Sequence, residues 1–202
     1  MRDWEPHFLT GSRLEKITKV LSHRQPGIHP VLENIHDPHN VSAIFRTCDA
    51  TGVPAVSLLY NYEKFPKIGK KSSASAFKWM MKEKYKTVDE CYGKLKESGF
   101  IIAASNCSPK AISLYEIDFT KNVAFVLGNE HRGVSEEGIK KADFDFYIPM
   151  FGMVQSLNVS VAAAVILYEA ARQRHNAGMY DLPQYSSEQL NELIQKWSSK
   201  KR

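Results

Sequence analysis

FYIPMFGMVQSLNVSVAAAVILYEAARQR, residues Phe146 to Arg174, decides how this chain is read. Phe146 to Ile148 is a short apolar run stopped by Pro149. Gly152 allows a tight turn, and Ser156 or Asn158 can cap the helix that follows. Strand, loop and helix thus succeed one another, with the loop held at a helix N-terminus. From Val159 to Leu167 only Ser160 is polar. This predicts a helix buried on nearly all sides, whose last turns carry Arg172 and Arg174 into solvent. Open α/β folds bind small ligands at such loops, where backbone donors and acceptors lie exposed between a strand end and a helix N-terminus. An ordinary strand-to-helix connection has the same pattern, and spacing does not separate the two.

Upstream, helical and strand patterns alternate. Leu14, Ile17, Val20 and Leu21 recur at helical spacing between about residues 10 and 24, with Arg13, Lys16, Lys19 and Arg24 on other faces, a basic amphipathic helix. Val31 to Asn34 reads as a strand, and Val41, Ile44, Phe45 and Cys48 mark a helix capped by Asn40 and stopped by Gly52. Arg46 falls roughly opposite the apolar stripe of that helix. Strands follow at Ala55–Tyr60, Trp79–Tyr85, Phe100–Ser105 and Asn122–Leu127, with a helix over Val88–Lys96 and a short one capped by Ser135. A last helix, about residues 186–199, presents Leu190, Leu193, Ile194 and Trp197 on one face. Its partner, within the chain or in a second subunit, is left open by periodicity. Strands alternating with helices predict an α/β fold in one domain spanning residues 1–202, a parallel sheet covered by helices on both faces.

The net charge is +5, yet between Lys64 and Lys86 eight lysines face one acid, Glu83, a local balance of +7. Phe65, Phe77, Trp79 and Tyr85 are interleaved with those lysines, the composition of a surface that meets phosphates and unstacked bases. The longest apolar run, Val161 to Tyr168, falls far short of the roughly 20 residues of a membrane span, and the first residues lack a secretory signal. A soluble, cytoplasmic protein is expected. Cys48, Cys91 and Cys107 form no CxxC pair, so reduced thiols and no metal site are expected. Gly69-Lys70-Lys71-Ser72 lacks two requirements of a P-loop, and no GxGxxG, HExxH or GxSxG is present. What remains is three polar loops at strand ends: Asn34–Asn40, Gly128–Gly133 and Pro149–Asn158.

Those loops, as HDPHNVSAIFRTCDATGV (His36–Val53), FVLGNEHRGVS (Phe125–Ser135) and IPMFGMVQSLNVSVAAAVILYEA (Ile148–Ala170), resemble the three signature motifs of the SpoU branch of the SPOUT methyltransferases, and within it the TrmH group. The resemblance implies methyl transfer from S-adenosylmethionine to an RNA ribose 2′-hydroxyl. In that group the acceptor is guanosine 18 of the tRNA D-loop; another tRNA or rRNA nucleotide, or an inactive RNA-binding homologue, is the alternative. It implies a C-terminal trefoil knot, against the general rule on threaded chains, and a homodimer in which the first motif of one subunit approaches the cofactor pocket of the other. Cofactor contacts are implied at Ser105, Gly128, Ile148 and Leu157, largely through the backbone. Arg46 becomes the main catalytic candidate, Asn40 positions its surroundings, and Glu130 and Asn158 shape the second and third motifs. Ser156, Arg172 and Arg174 would meet RNA phosphates, as would Lys70 and Lys71 of the basic stretch. Departures at Asp37 and at SASAFKW (Ser73–Trp79) bear on RNA contacts rather than on chemistry.

Overall fold

A computed structural model describes residues 11–66 and 76–199. Along the chain run α1 (Gly11–Ser22), β1 (Ile28–Glu33), α2 (Pro38–Ala50), β2 (Ala55–Leu59), α3 (Ala76–Trp79), β3 (Met81–Tyr85), α4 (Val88–Glu97), β4 (Ile101–Ser105) and β5 (Ile112–Ser113). After a 3-10 turn at Leu114–Glu116 follow β6 (Val123–Leu127), α5 (Glu136–Lys141), β7 (Phe144–Tyr147), α6 (Val159–Asn176) and α7 (Ser187–Ser198). The strands among the described residues form one seven-stranded sheet in the order β3-β2-β1-β6-β4-β7-β5, and every pairing is parallel. Parallel strands need crossovers, and the crossovers put helices on both faces. On one face, Ile44, Phe45 and Cys48 of α2 meet Ala163, Ile166, Leu167 and Ala170 of α6 over Leu32, Phe125 and Phe146. On the other, Val88, Cys91, Tyr92 and Leu95 of α4, with Ile139 of α5, cover Val31, Ala124 and Val126. The expected parallel sheet, sheathed on both faces, is present.

Several boundaries differ from the sequence reading for local reasons. β1 begins at Ile28, three residues early, because Pro30 is tolerated in a stretch where β6 alone is paired and the bonds to β2 begin only at Val31. The N-cap of α2 is Asp37, whose carboxylate accepts from the His39 amide, with Pro38 at the first helical position; Asn40 lies inside the helix, its side chain released for another use. The cap at Ser135 holds, Asn158 rather than Ser156 caps α6, Thr87 caps α4, and Ser186 makes a reciprocal capping box with Gln189. The face of α7 is met within the chain: Trp197 packs with Ile17 and Leu21 of α1.

Three expectations are overturned. α6 is not buried on nearly all sides, since Val161 and Tyr168 are 48% and 58% exposed; the sheet and α2 cover one face of it and no described residue covers the other. The interleaved aromatics are not laid out on the surface but pack, partly buried, against the core: Phe77 on Phe45, Phe65 edge-on against Tyr60, and Trp79 on Trp197, while Lys82, Lys84 and Lys78 lie over Phe77, Phe65 and Trp79.

Arg174 is the third, and it removes that residue from the RNA-contacting set. It is 2% exposed. Its Nε and Nη2 donate to the carbonyls of Phe119 and Lys121 at 2.8 Å, and Nη1 to Oε1 of Gln25 at 3.2 Å. Its position, four residues after Ala170 and seven after Leu167, continues the buried stripe of α6. Charge pointed outward, but periodicity pointed inward, and the three acceptors meet the need of a buried guanidinium. Arg24, similarly, lies past the end of α1 and is buried, its Nη2 on Oδ1 of Asp49 at 2.6 Å.

Candidate active site

The sheet delivers its polar loops to one edge. β1 runs into the first motif, β6 into the second and β7 into the third, and because all three strands are parallel their carboxyl ends, and the loops after them, lie together. A cleft of about 590 Å³ opens there, in the range of small-ligand sites. Ser105, Gly128, Ile148 and Leu157, far apart in sequence, all line it; so do Glu130, Ser156 and Asn158. Its remaining walls include Leu127, Phe146 and Ile166 with Asn129 and His131, so the lining mixes apolar side chains with polar ones.

Gly128 shows how close the second-motif backbone comes to itself. A Cβ at this position would lie 2.0 Å from the carbonyl carbon of Gly133 and from the amide nitrogen of Val134. Only glycine allows the loop to fold back, and the short Asn129–Gly133 bridge closes it. Gly128 itself lines the cleft, so it presents backbone and no side chain there.

Glu130 joins two loops. Its carboxylate accepts from the His36 amide at 3.0 Å, the Asp37 amide at 3.2 Å and Nδ2 of Asn40 at 2.9 Å. Burial alone would raise its pKa, but these donors outweigh that effect and hold the carboxyl below its ordinary range. Asn158 joins the third. Its Nδ2 donates to Oδ1 of Asn40 at 3.1 Å, while its Oδ1 caps α6 by accepting from the Ser160 and Val161 amides. Asn40, Glu130 and Asn158 thus form one hydrogen-bonded unit across the three motifs.

A second unit escaped the sequence reading. Asn34, with φ +53, sits at the end of β1; its Oδ1 accepts from the amides of Asn61, Tyr62 and Glu63. Its carbonyl accepts from Nδ2 of Asn129 at 2.9 Å, and Oδ1 of Asn129 accepts from the amides of His131 and Arg132. Asparagine at a strand end, a residue type tolerant of the left-handed region, was the available signal.

Other expected site residues are not gathered into this cleft. Arg46 is exposed on α2 and is not among the residues lining it. Six residues along the helix place it about 9 Å beyond Asn40. Arg172 is exposed, yet its guanidinium is held by Glu169 through Nε at 2.9 Å and Nη2 at 2.7 Å, so its charge is largely offset. Lys70 and Lys71 lie outside the described residues.

A wholly parallel sheet with a cleft at its strand ends, closed by a glycine-turned second motif and by carboxamides and a carboxylate that tie three loops together, defines an α/β protein with a candidate ligand site at the carboxyl edge of its sheet. The particular family follows: the chain belongs to the SpoU rRNA Methylase family, whose model matches residues 27–168. It is 44% identical to the tRNA (guanosine(18)-2'-O)-methyltransferase of Thermus thermophilus over 191 residues, 95% of this chain and 98% of that protein. To the Escherichia coli protein of the same name it is 42% identical, over 84% of this chain and 73% of that one. Its fold matches the crystal structure of the A. aeolicus TrmH/SpoU tRNA modifying enzyme with a TM-score of 0.86 at 40% identity, covering 93% of this chain and 95% of that one. Membership also implies the trefoil knot expected from the motifs. No described helix is long and apolar enough to cross a membrane.

Proposed function

We propose that this protein methylates the 2′-hydroxyl of guanosine 18 in tRNA, using S-adenosylmethionine. The observation that carries this proposal is the Asn40–Glu130–Asn158 unit, which fixes three motif loops around a cleft of suitable size and lining. Relatives that carry this activity in their names match nearly the whole chain.

The cleft fits the methyl donor on physical grounds. Ile148 and Leu157, half-buried at the cleft, offer apolar surface to a flat base over a floor of buried Leu127, Phe146 and Ile166, and Gly128 presents backbone without a side chain. When bound, S-adenosylmethionine would supply an activated methyl group: sulfur would keep the bonding pair, the ribose oxygen would take the carbon, and the hydroxyl proton would pass to water or an RNA phosphate oxygen. The protein's task is to place that oxygen in line and to steady its growing charge. Glu130 is a poor base for the proton: its carboxylate already accepts three hydrogen bonds and its pKa is lowered. Its role is to hold the first motif. Arg46, always charged, stabilises the forming alkoxide rather than removing its proton.

A homodimer accounts for two observations. Phe151 and Met153 of the third motif are 97% and 99% exposed, and Val161 and Tyr168 of the helix after it are also exposed, apolar surface that a second copy would cover. Arg46 does not line its own cleft, and a partner's cleft would receive it. Ser156 at the cleft rim, Arg172, Lys70 and Lys71 would contact phosphates of the RNA.

The direct test is to incubate purified protein with S-adenosylmethionine and a tRNA transcript, then map modified nucleosides by mass spectrometry. 2′-O-methylguanosine at position 18 is expected. Methylation elsewhere, or binding of RNA without transfer, would replace this function with one of its alternatives.

A further inference from the structure

Next to the Asn40–Glu130–Asn158 unit stands a feature that it does not use. The guanidinium carbon of Arg132 lies 5.4 Å from the centroid of the Tyr62 ring. Tyr62 is 46% exposed and Arg132 is exposed. Arg132 follows Glu130 by two residues in the second motif, whereas Tyr62 leads off the loop after β2. We infer that this pair is a stacking platform for a nucleobase of the RNA beside the acceptor nucleotide, an inference that rests on the RNA-methylating function proposed above.

Rigidity is the first argument. The Tyr62 amide is held by Oδ1 of Asn34 and the Arg132 amide by Oδ1 of Asn129, and those two asparagines are joined by a buried hydrogen bond of 2.9 Å. Both loops are therefore fixed before any ligand arrives, so little ordering entropy opposes stacking on them. The second argument is chemical. A flat ring paired with a guanidinium plane matches the faces on which unstacked RNA bases are recognised, and the arginine keeps donors for a phosphate or a base edge. Third, a mere clasp between loops would be redundant, because the Asn34–Asn129 bond already joins them. Phe65, Phe77 and Trp79 of the lysine-rich stretch are partly buried against the core, whereas Tyr62, beside the second motif, keeps about half its surface open.

The test uses full-length protein, a tRNA transcript, and transcripts with an abasic residue at each nucleotide flanking guanosine 18 in turn. Tyr62→Ala should raise KM for tRNA about tenfold, in keeping with the loss of one stacked base, while kcat, the thermal midpoint and affinity for S-adenosylmethionine stay within about twofold. Tyr62→Phe should behave as the parent, and Arg132→Ala should repeat the KM effect. One abasic transcript should cost the parent protein a similar factor and cost Tyr62→Ala nothing more, as expected when two changes remove the same contact. An unchanged KM in Tyr62→Ala, or additive losses with every abasic transcript, overturns the platform. A lowered thermal midpoint and weakened donor binding with KM following would mark the pair as a structural clasp instead. Should the parent protein fail to methylate tRNA, the proposed function falls separately. RNA binding followed by fluorescence anisotropy then decides the platform, which is lost if Tyr62→Ala binds as tightly as the parent.

Discussion

The carboxamide of Asn158 donates to that of Asn40 at 3.1 Å, across 118 positions of sequence, and does so while capping α6 with its other end. One residue thereby fixes where a helix starts and where the first motif lies. Asn158→Ala removes the cap and the inter-motif bond together. A loss of about 1–2 kcal/mol in unfolding free energy is expected from the cap, and turnover should fall by much more than that stability change explains. Denaturant melts beside steady-state kinetics check this; a variant with the stability loss but normal turnover would leave Asn158 a cap only.

Glu130 should give a pH signature. Its folded pKa is lowered, so the stability it contributes is fully present above the ordinary carboxylate value of 4.5 and is lost as pH falls through the lower folded value. The difference in thermal midpoint between the parent and Glu130→Gln should therefore be constant at neutral pH and shrink on acidification below about pH 4.5. A difference that grows on acidification would contradict the assignment of the carboxylate as the hydrogen-bonded, charged form.

Arg174 is expected to matter for folding and not for RNA. Arg174→Ala leaves two carbonyls and Gln25 Oε1 without their donor and opens a void, at a cost of about 3 kcal/mol or more. At a temperature where the variant is folded, its affinity for tRNA and the salt slope of binding should match the parent. A flatter slope would restore Arg174 to the RNA-contacting set.

Arg46→Lys should lower turnover at least ~100-fold, about 2.7 kcal/mol of transition-state stabilisation, with donor affinity nearly unchanged. Lysine keeps the charge but loses the planar fork. Whether Arg46 acts in its partner's cleft can be read from mixed dimers. Arg46→Ala co-assembled with Asn158→Ala leaves one cleft with an intact third motif facing an intact Arg46, so activity should reappear in the mixture. No recovery would place Arg46 in its own subunit's chemistry.

The proposed homodimer would bury Val161 and Tyr168, so Val161→Arg together with Tyr168→Arg should give a monomer by light scattering with little methyl transfer. These positions face away from the core and tolerate charge in the monomer. A monomer with full activity would sever assembly from function.

From the sequence by itself came the alternation of strand and helix, the cap at Ser135, the choice of Ser156 or Asn158 as the cap of α6, and the three polar loops whose motifs carry the family. These are local properties: a cap is satisfied within three residues, and period 3.6 or 2 is visible in any window. Tertiary structure alone decided which side of an element meets which neighbour. Arg174 and Arg24 turned inward because distant carbonyls and carboxylates waited there, and Phe65, Phe77 and Trp79 turned inward because Tyr60, Phe45 and Trp197 did. Asn34 and Asn129 are 95 positions apart, and nothing in either neighbourhood marks them as partners. A parallel sheet pairs strands remote in sequence, so its site is assembled from long-range contacts. Local spacing can name the loops, but it cannot say which atoms they bring within 3 Å of each other.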